Sequence, residues 1–297
     1  MTPVRRFVSR VTLLTLFTMA LPAVAQTGGM QSGPFDGMSS SIVVPAGVRI
    51  EGKNGAFFQT DLWIRCQTVP VAVTLEFHTA DAASASPAVT VPITLTQPVT
   101  YLPDVLSATF GVARGAGNIR IVAGAPVSAV VRVYNNGGGG AYGLSFMGMP
   151  STMSLQSMPM MGGSFGMDDF AMYMLGLLPE PGNRVNVSVV NTNSSTVNGV
   201  VEVLDSDGSA PSGTGATSLS FQIAGYSSHQ FNDVLANIHS RFGTGDTGLQ
   251  IRVRLNQGSG GMVMAYAVVN DNATNDGYVV MGNMMNGGRG MGQGMMP

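Results

Sequence analysis

Apolar and polar residues alternate along several short stretches of this chain. In the clearest stretch, 71–78, the odd positions are Val, Val, Leu and Phe, and the even positions are Ala, Thr, Glu and His. The same alternation occurs at 91–95 and 219–223. Successive side chains of a strand point to opposite faces of a sheet, so this pattern predicts strands with one face toward a core. We therefore expect an all-β fold, with His78 on the solvent face.

Turn and cap residues divide these strands. The sequence Asn-Asn-Gly-Gly at 135–138 predicts a hairpin that joins 130–134 to 142–146. Asp104 and Asp233 each precede a short apolar segment, and a carboxylate there can accept the free N–H groups of a first helical turn. We expect a short helix after each, the first ending at Gly111, with an irregular loop as the alternative.

The chain contains the same series of short motifs twice. Glu76 and Glu202 are 126 residues apart, as are Asp81 and Asp207. The offset rises to 129 between 102–106 and 231–235, and to 135 between 131–135 and 266–270. The order is kept and the offset grows in one direction, as longer loops in the second copy require. The sequence therefore predicts an internal duplication.

The predicted fold class is all-β, with two tandem immunoglobulin-like β-sandwich repeats joined by a Met- and Gly-rich linker. About seven short strands per copy are typical of such a sandwich, and a barrel is the alternative. The predicted divisions are a signal peptide at 1–25, a flexible segment at 26–40, repeat 1 at 41–146, the linker at 147–169, repeat 2 at 170–282 and a Met- and Gly-rich tail at 283–297. The linker should be irregular up to Asp168, and 170–177 should form a strand, with a helix from Asp168 as the alternative.

One segment carries a resemblance to a known group of proteins. Residues 55–63 read GAFFQTDLW, which resembles the opening of β-sandwich repeats in secreted proteins of environmental bacteria, where a glycine turn leads into FFRTDLWL. Segments 102–106, 132–135 with 142–143, and 176–177 with 184–191 are similar to that family too. The chain departs from the pattern at Gln59, where the family often has Arg, and in its methionine content. The resemblance implies an exported, non-enzymatic accessory or surface module, with no catalytic residues to carry over.

The N-terminus predicts export. Arg5, Arg6 and Arg10 precede an uncharged apolar stretch at 11–21, and a small-x-small cleavage motif follows at 23–25. The apolar stretch is shorter than the roughly 20 residues that span a bilayer, so we expect no membrane span after cleavage. The protein should be secreted or periplasmic. Cleavage leaves eleven basic against sixteen acidic residues and no basic cluster, which argues against a nucleic-acid partner.

The sequence contains no pattern that indicates catalysis, and we expect a non-enzyme. His78, His229 and His239 are not spaced as ligands on one element, and no serine lies in a Gly-x-Ser-x-Gly elbow. The acidic and amide residues at 205–207 and 271–276 lack the spacing of a calcium loop and are interpreted as turn residues.

Trp63 lies in a dense apolar run at 57–64, and Cys66 follows this run. We interpret Cys66 as a buried, inert thiol, because the chain offers it no partner for a disulfide. We interpret Trp63 as core packing in a central strand in preference to a stacking platform for carbohydrate.

The methionines cluster in and around the predicted linker and tail. Nine lie between Met147 and Met174 and six between Met281 and Met296. Thioether sulfur binds Cu(I) without deprotonation, so one hypothesis is a Cu(I) or Ag(I) site. Its candidate ligands are Met147, Met149, Met153, Met158, Met160, Met161, Met281, Met284 and Met285. The alternatives are adaptable apolar padding, which we favour, and sacrificial oxidation.

The leading functional hypothesis is a non-catalytic exported structural or interaction module. Its β-sandwich surfaces would be presented to an unknown protein or cell-surface partner outside the cytoplasm. The alternative hypothesis is a soft-metal binding protein that uses the Met-rich linker and tail. No other cofactor is expected.

Overall fold

The computed structural model describes residues 38–52, 55–135, 143–156, 170–177, 182–205, 218–238, 249–256, 258–272 and 277–286. All of these residues lie in one compact unit. They form several antiparallel β-sheets with two short helices, which confirms the predicted all-β class. The predictions for the signal peptide and for 26–37 lie outside the described residues.

The N-terminal half, β1–β8, forms one eight-stranded sheet with the path β4-β3-β6-β1-β2-β5, in which β7 also pairs with β6 and β8 with β1. Its elements are β1 (Ser39–Glu51), β2 (Phe57–Cys66), β3 (Val71–Thr79), β4 (Val89–Leu95), β5 (Val99–Leu102), α1 (Val105–Ala108), β6 (Gly115–Asn135), β7 (Gly143–Met147) and β8 (Met149–Pro150).

The long strand β6 folds this sheet back on itself. Residues 115–123 of β6 pair with β1 and β3, and residues 127–135 pair with β2 and β7. Gly124 and Pro126 lie at the corner between these two stretches. Both residue types occur where strands bend, because Gly lacks a side chain and Pro cannot donate to the ladder. The apolar residues of both arms therefore face one shared core.

The C-terminal half, β9–β18, contains two five-stranded sheets. One has the order β13-β12-β15-β10-β18, and the other has the order β14-β11-β16-β17 with β9 also paired to β16. The elements are β9 (Leu155–Gln156), β10 (Phe170–Met174), β11 (Asn183–Asn191), β12 (Val197–Leu204), β13 (Ser218–Ile223), β14 (Ser228–Phe231), α2 (Val234–Ile238), β15 (Gln250–Leu255), β16 (Met262–Asp271), β17 (Gly277–Met281) and β18 (Asn283–Asn286).

The strand order is the same in both halves. β4-β3-β6-β1 corresponds to β13-β12-β15-β10, and β5-β2-β6-β7 corresponds to β14-β11-β16-β17. The register agrees as well, because Glu76 lies opposite Arg120 and Glu202 lies opposite Arg252. The main difference is at the corner of β6, where the C-terminal half has a break between β15 and β16 that includes Gly258 and Gly260, both with positive φ.

Alternation along β3 follows the prediction on its inner side. The four apolar residues at 71, 73, 75 and 77 are buried in the N-terminal core. The outer side differs from the prediction at His78, whose exposed fraction is only 1%. The predicted solvent position of His78 is therefore wrong, because the C-terminal half covers that part of the sheet.

The two halves pack through outward faces of their sheets. Val190, Met264 and Tyr266 of the C-terminal half belong to the same buried cluster as the N-terminal core. Tyr266 meets Phe146 edge-on, with ring centroids 5.0 Å apart, and its hydroxyl donates to the Pro45 carbonyl at 3.5 Å. Both faces of β1 are covered as a result, so every residue from Ile42 to Ala46 is buried.

Polar contacts extend this interface toward the end of β3. The Asn118 amide donates to the Tyr226 carbonyl at 2.8 Å, and the Ser227 hydroxyl donates to the Thr79 carbonyl at 2.9 Å. Asp81 accepts from His229 across the same junction. Apolar and hydrogen-bonded contacts thus join the two halves.

The helices occur where predicted, but Asp104 does not cap α1. Its φ is 38°, and its side chain makes no bond to the free N–H groups of the helix. The Asp104 carboxylate accepts from Arg49 and Gln59 instead. Gly111 has φ of 69°, as expected for the residue that follows a helix end.

Several strands extend into the segments that were predicted as linker and tail. β7 and β8 carry Met147 and Met149 into the N-terminal sheet, and β9 joins the C-terminal sheet at Leu155. β10 occupies the predicted strand after Asp168, and β18 lies inside the predicted tail. The stretches 157–169 and 287–297 lie outside the described residues.

Candidate functional site

Four side chains form a row across the outward face of the arm made by β5, β2, β6 and β7. Tyr101 lies opposite Trp63, Trp63 opposite Val130, and Val130 opposite Met147. Residues directly opposite each other in antiparallel strands point to the same side of a sheet. We call this row, with the neighbouring Asp61, Arg132 and Tyr134, the Trp63 face.

The Trp63 face exposes apolar side chains to solvent. The exposed fraction is 49% for Tyr101, 36% for Val130 and 67% for Met147. Trp63 is partly buried, and its ring stacks on Tyr101 with centroids 4.9 Å apart and planes 23° apart. The interpretation of Trp63 as core packing is therefore wrong, since the core side of β2 is taken by Leu62 and Ile64.

A buried carboxylate fixes the aromatic residues of this face. Asp61 accepts from the Tyr101 hydroxyl at 2.9 Å and from the Tyr134 hydroxyl at 3.4 Å. It also accepts from the Asp104 N–H at 2.9 Å, which ties the start of α1 to β2. Asp61 is buried, so these bonds satisfy a charge that would otherwise be costly to remove from water.

Cationic groups lie beside the aromatic row. The Arg132 guanidinium lies 5.3 Å from the ring centroid of Tyr134, and the Arg49 guanidinium lies 5.1 Å from that of Phe57. Arg49 also pairs with Asp104 at 3.1 Å. An arginine over an aromatic ring makes a favourable cation–π contact, so these groups support the orientation of the rings.

The phenols of the Trp63 face stay neutral well above neutral pH. The hydrogen bond to Asp61, with burial and the carboxylate charge, raises the pKa of Tyr101 above its ordinary value. Burial and the same carboxylate raise the pKa of Tyr134. Both hydroxyls therefore remain donors to Asp61 under physiological conditions.

Most of the equivalent row of the C-terminal half is covered, and only Gln230 at its β14 end is exposed. Gln230, Ser188, Tyr266 and Met281 hold the same register positions in β14, β11, β16 and β17. A glycine donates back to the long strand directly after the methionine in both halves, Gly148 to Ala129 and Gly282 to Ala265. Ser188 and Tyr266 are buried, and Tyr266 and Met281 pack on the N-terminal core.

The candidate metal ligands are spread over several surfaces. Met147 lies on the Trp63 face, whereas Met149 and Met281 pack against the N-terminal core from the other side of that half. Met153 lies in the 3-10 turn Ser151–Met153, and Met284 is exposed in β18. Met158, Met160 and Met161 lie outside the described residues, as does the side chain of Met285.

The remaining sequence candidates lie apart from this face. Cys66 is buried, as expected, and His229 pairs with Asp81 at the junction between the halves, whereas His239 lies outside the described residues. Within the described ranges, no three His, Cys, Asp or Glu side chains are grouped as a metal site. None of the helices among the same residues combines the length and the apolar character that crossing a membrane requires.

Comparison with protein-family models, curated proteins and solved structures found no match to this chain.

Sequence reasoning missed the Trp63–Tyr101 pair. The order of residues along β2 could have indicated where Trp63 points. Trp63 lies between Leu62 and Ile64, and successive side chains of a strand point to opposite faces of the sheet. The position of Tyr101 beside it depends on the register between β2 and β5. That register is set by tertiary pairing and cannot be read from either strand alone.

Proposed function

We propose that this chain is an exported structural or interaction module built from two tandem immunoglobulin-like β-sandwich repeats. A protein or cell-surface partner outside the cytoplasm docks on the Trp63 face. The equal strand order of the two halves supports the repeats, and the charged start and apolar stretch before residue 26 support export.

The observation that carries this proposal is the stacked pair of the partly buried Trp63 and the exposed Tyr101 on the Trp63 face. Tyr and Trp are enriched in the centres of protein interfaces because each provides a large contact area with few rotatable bonds. Here the Asp61 hydrogen bond and the stacking already hold Tyr101 in place. A partner therefore does not need to order this residue on binding, which favours affinity.

Site-directed photo-cross-linking in cells that export the protein tests the proposal. A photo-reactive residue replaces Val99, which is exposed beside Trp63 on the same face. A matched control places it at Ile50, which is exposed outside the row. We expect adducts from position 99 that disappear with Trp63→Asp. Adducts that are equal at both positions, or that persist in the Trp63 variant, would contradict the proposal.

A second candidate function is soft-metal binding, and the exposed thioether of Met284 in β18 favours it. Exposed thioether sulfur is accessible to Cu(I) and requires no proton loss. Stoichiometric Cu(I) uptake by the purified protein without its first 25 residues would support this function, and no uptake would end it.

A further inference from the structure

The contact between the two halves of the chain indicates which kind of protein surface can bind the Trp63 face. In the C-terminal half, Tyr266 and Met281 of the corresponding row pack on the N-terminal core, and the Tyr266 hydroxyl donates to Pro45 of β1. The N-terminal half has the same strand order, but its own row is open. An interface already formed between the two halves of one chain can thus be repeated between chains.

The outward face of β10, β12 and β15 corresponds to the outward face of β1, β3 and the first arm of β6. Val43 of β1 lies opposite Arg120 of β6, and Tyr173 of β10 lies opposite Arg252 of β15. Since Arg120 and Arg252 hold equivalent positions, Tyr173 corresponds to Val43. Two residues further along, Leu175 corresponds to Pro45, whose carbonyl accepts from Tyr266 in the internal interface. Pro45 is buried there, whereas Leu175 is 40% exposed.

Charged groups surround this second face in a fixed arrangement. Arg252 and Arg254 bind the two oxygens of Glu202 at 2.8 Å and 2.6 Å. Burial alone would raise the pKa of Glu202, but the hydrogen bonds from Arg254 and Arg252 hold it below its ordinary value. The corresponding pair in the N-terminal half, Glu76 and Arg120, borders the internal interface, where Arg120 lies 4.5 Å from the Tyr226 ring centroid.

We propose that copies of this chain associate head to tail, with the face that carries Tyr173, Leu175 and Arg252 covering the Trp63 face of the next copy. The inference rests on the proposed function and names its partner as a second copy of the same chain. Arginines beside an apolar strip suit the stacked Trp63 and Tyr101 rings, which offer faces for cation–π contacts. Because the two faces differ, each copy in such a contact keeps one face for a further copy, so association is not limited to a pair of molecules.

Sedimentation analysis of the chain lacking residues 1–25 tests this inference with one variant for each face. Trp63→Asp disrupts the receiving face, and Met147→Asp disrupts it at its most exposed position, where folding is least affected. Leu175→Asp disrupts the opposite face. Ile50→Asp is the matched control, and circular dichroism verifies that each variant is folded.

We expect the mean mass of the parent and of the Ile50 variant to increase with concentration beyond that of a dimer. Each single-face variant alone should lose all species larger than one copy. An equal mixture of the Met147 and Leu175 variants should regain a two-copy species, because each partner retains one intact face. A parent that stays monomeric overturns the inference, and so does a dimer that is sensitive to Trp63→Asp but not to Leu175→Asp.

The outcomes separate this inference from the proposed function. Cross-links from position 99 to a different protein, with a monomeric parent, would retain the interaction module and reject self-association. A soluble polysaccharide that shields Trp63 from acrylamide quenching in a monomeric parent would also reject it, since the aromatic pair would then bind glycan. Trp63 is the only tryptophan in the chain, so its fluorescence reports on this face alone.

Discussion

Neighbouring residues on β2 have opposite roles in the molecule. Leu62 points into the N-terminal core and is fully buried, whereas Trp63 points outward and stacks on Tyr101. A large apolar residue is therefore not in itself a sign of core position, because the direction of its side chain depends on the parity of the strand. A core position and a position on the outward face are therefore separated by one residue.

Replacing Trp63 with Ala should cost little stability compared with replacing its neighbour. Loss of a cross-strand aromatic pair costs about 1 kcal/mol, whereas Leu→Ala in a core costs about 2–5 kcal/mol. We expect Trp63→Ala to lower the free energy of unfolding much less than Leu62→Ala. Urea unfolding followed by circular dichroism measures both, and equal losses would place Trp63 in the core.

The buried His78 should make stability depend on pH. Burial lowers its pKa below the ordinary value of 6.5, although the Glu76 carboxylate raises it and Arg120 lowers it further. The unfolded chain then binds a proton that the folded chain does not, so stability is full above about pH 6.5 and falls as the pH drops through that value. His78→Asn should remove this part of the pH dependence.

The measurement is the free energy of unfolding at several pH values between neutral and mildly acidic. His229→Gln is the control, because His229 pairs with Asp81 at the same junction but is one-third exposed. A parent and a His78→Asn variant with the same slope against pH would show that His78 is not the responsible group.

At the scale of elements, the alternation of apolar and polar residues predicted where strands lie, but it did not predict what the outward side chains contact. β3, β10 and the β6–β7 hairpin lie where the sequence placed them. Two features depended on tertiary contacts that no local pattern encodes. His78 is covered by the other half, and the Asp104 backbone is held in its positive-φ conformation while its side chain binds Arg49. In both cases the strand or helix was predicted at the right place, and the wrong part of the prediction was the contacts of the side chain.

The Met-rich segment from β7 to β9 allows a direct test of the metal hypothesis. Met147 and Met149 flank Gly148 but contact different surfaces, so we do not expect them to share a metal ion. Replacing Met147, Met149 and Met153 with Leu removes three sulfurs and keeps their apolar bulk. If the parent takes up Cu(I), the variant should show unchanged stoichiometry, and a loss of one ion would show that these three are ligands.

At the scale of the whole molecule, the apolar interface should make the halves unfold together. Tyr266 belongs to the C-terminal half but packs in the N-terminal core cluster. Tyr266→Ala should therefore shift unfolding that is monitored by Trp63 fluorescence, although Trp63 lies in the other half. In the parent, fluorescence and circular dichroism should give coincident transitions, and two separate midpoints would contradict this coupling.

The corner of β6 has a mechanical consequence. In the N-terminal half one unbroken strand runs through both arms of the sheet, so covalent backbone connects the two layers directly at Gly124 and Pro126. In the C-terminal half the corresponding connection is a loop that includes two positive-φ glycines, Gly258 and Gly260. We therefore expect the spacing between the two layers to be fixed more rigidly in the first half than in the second, where the connecting loop can bend.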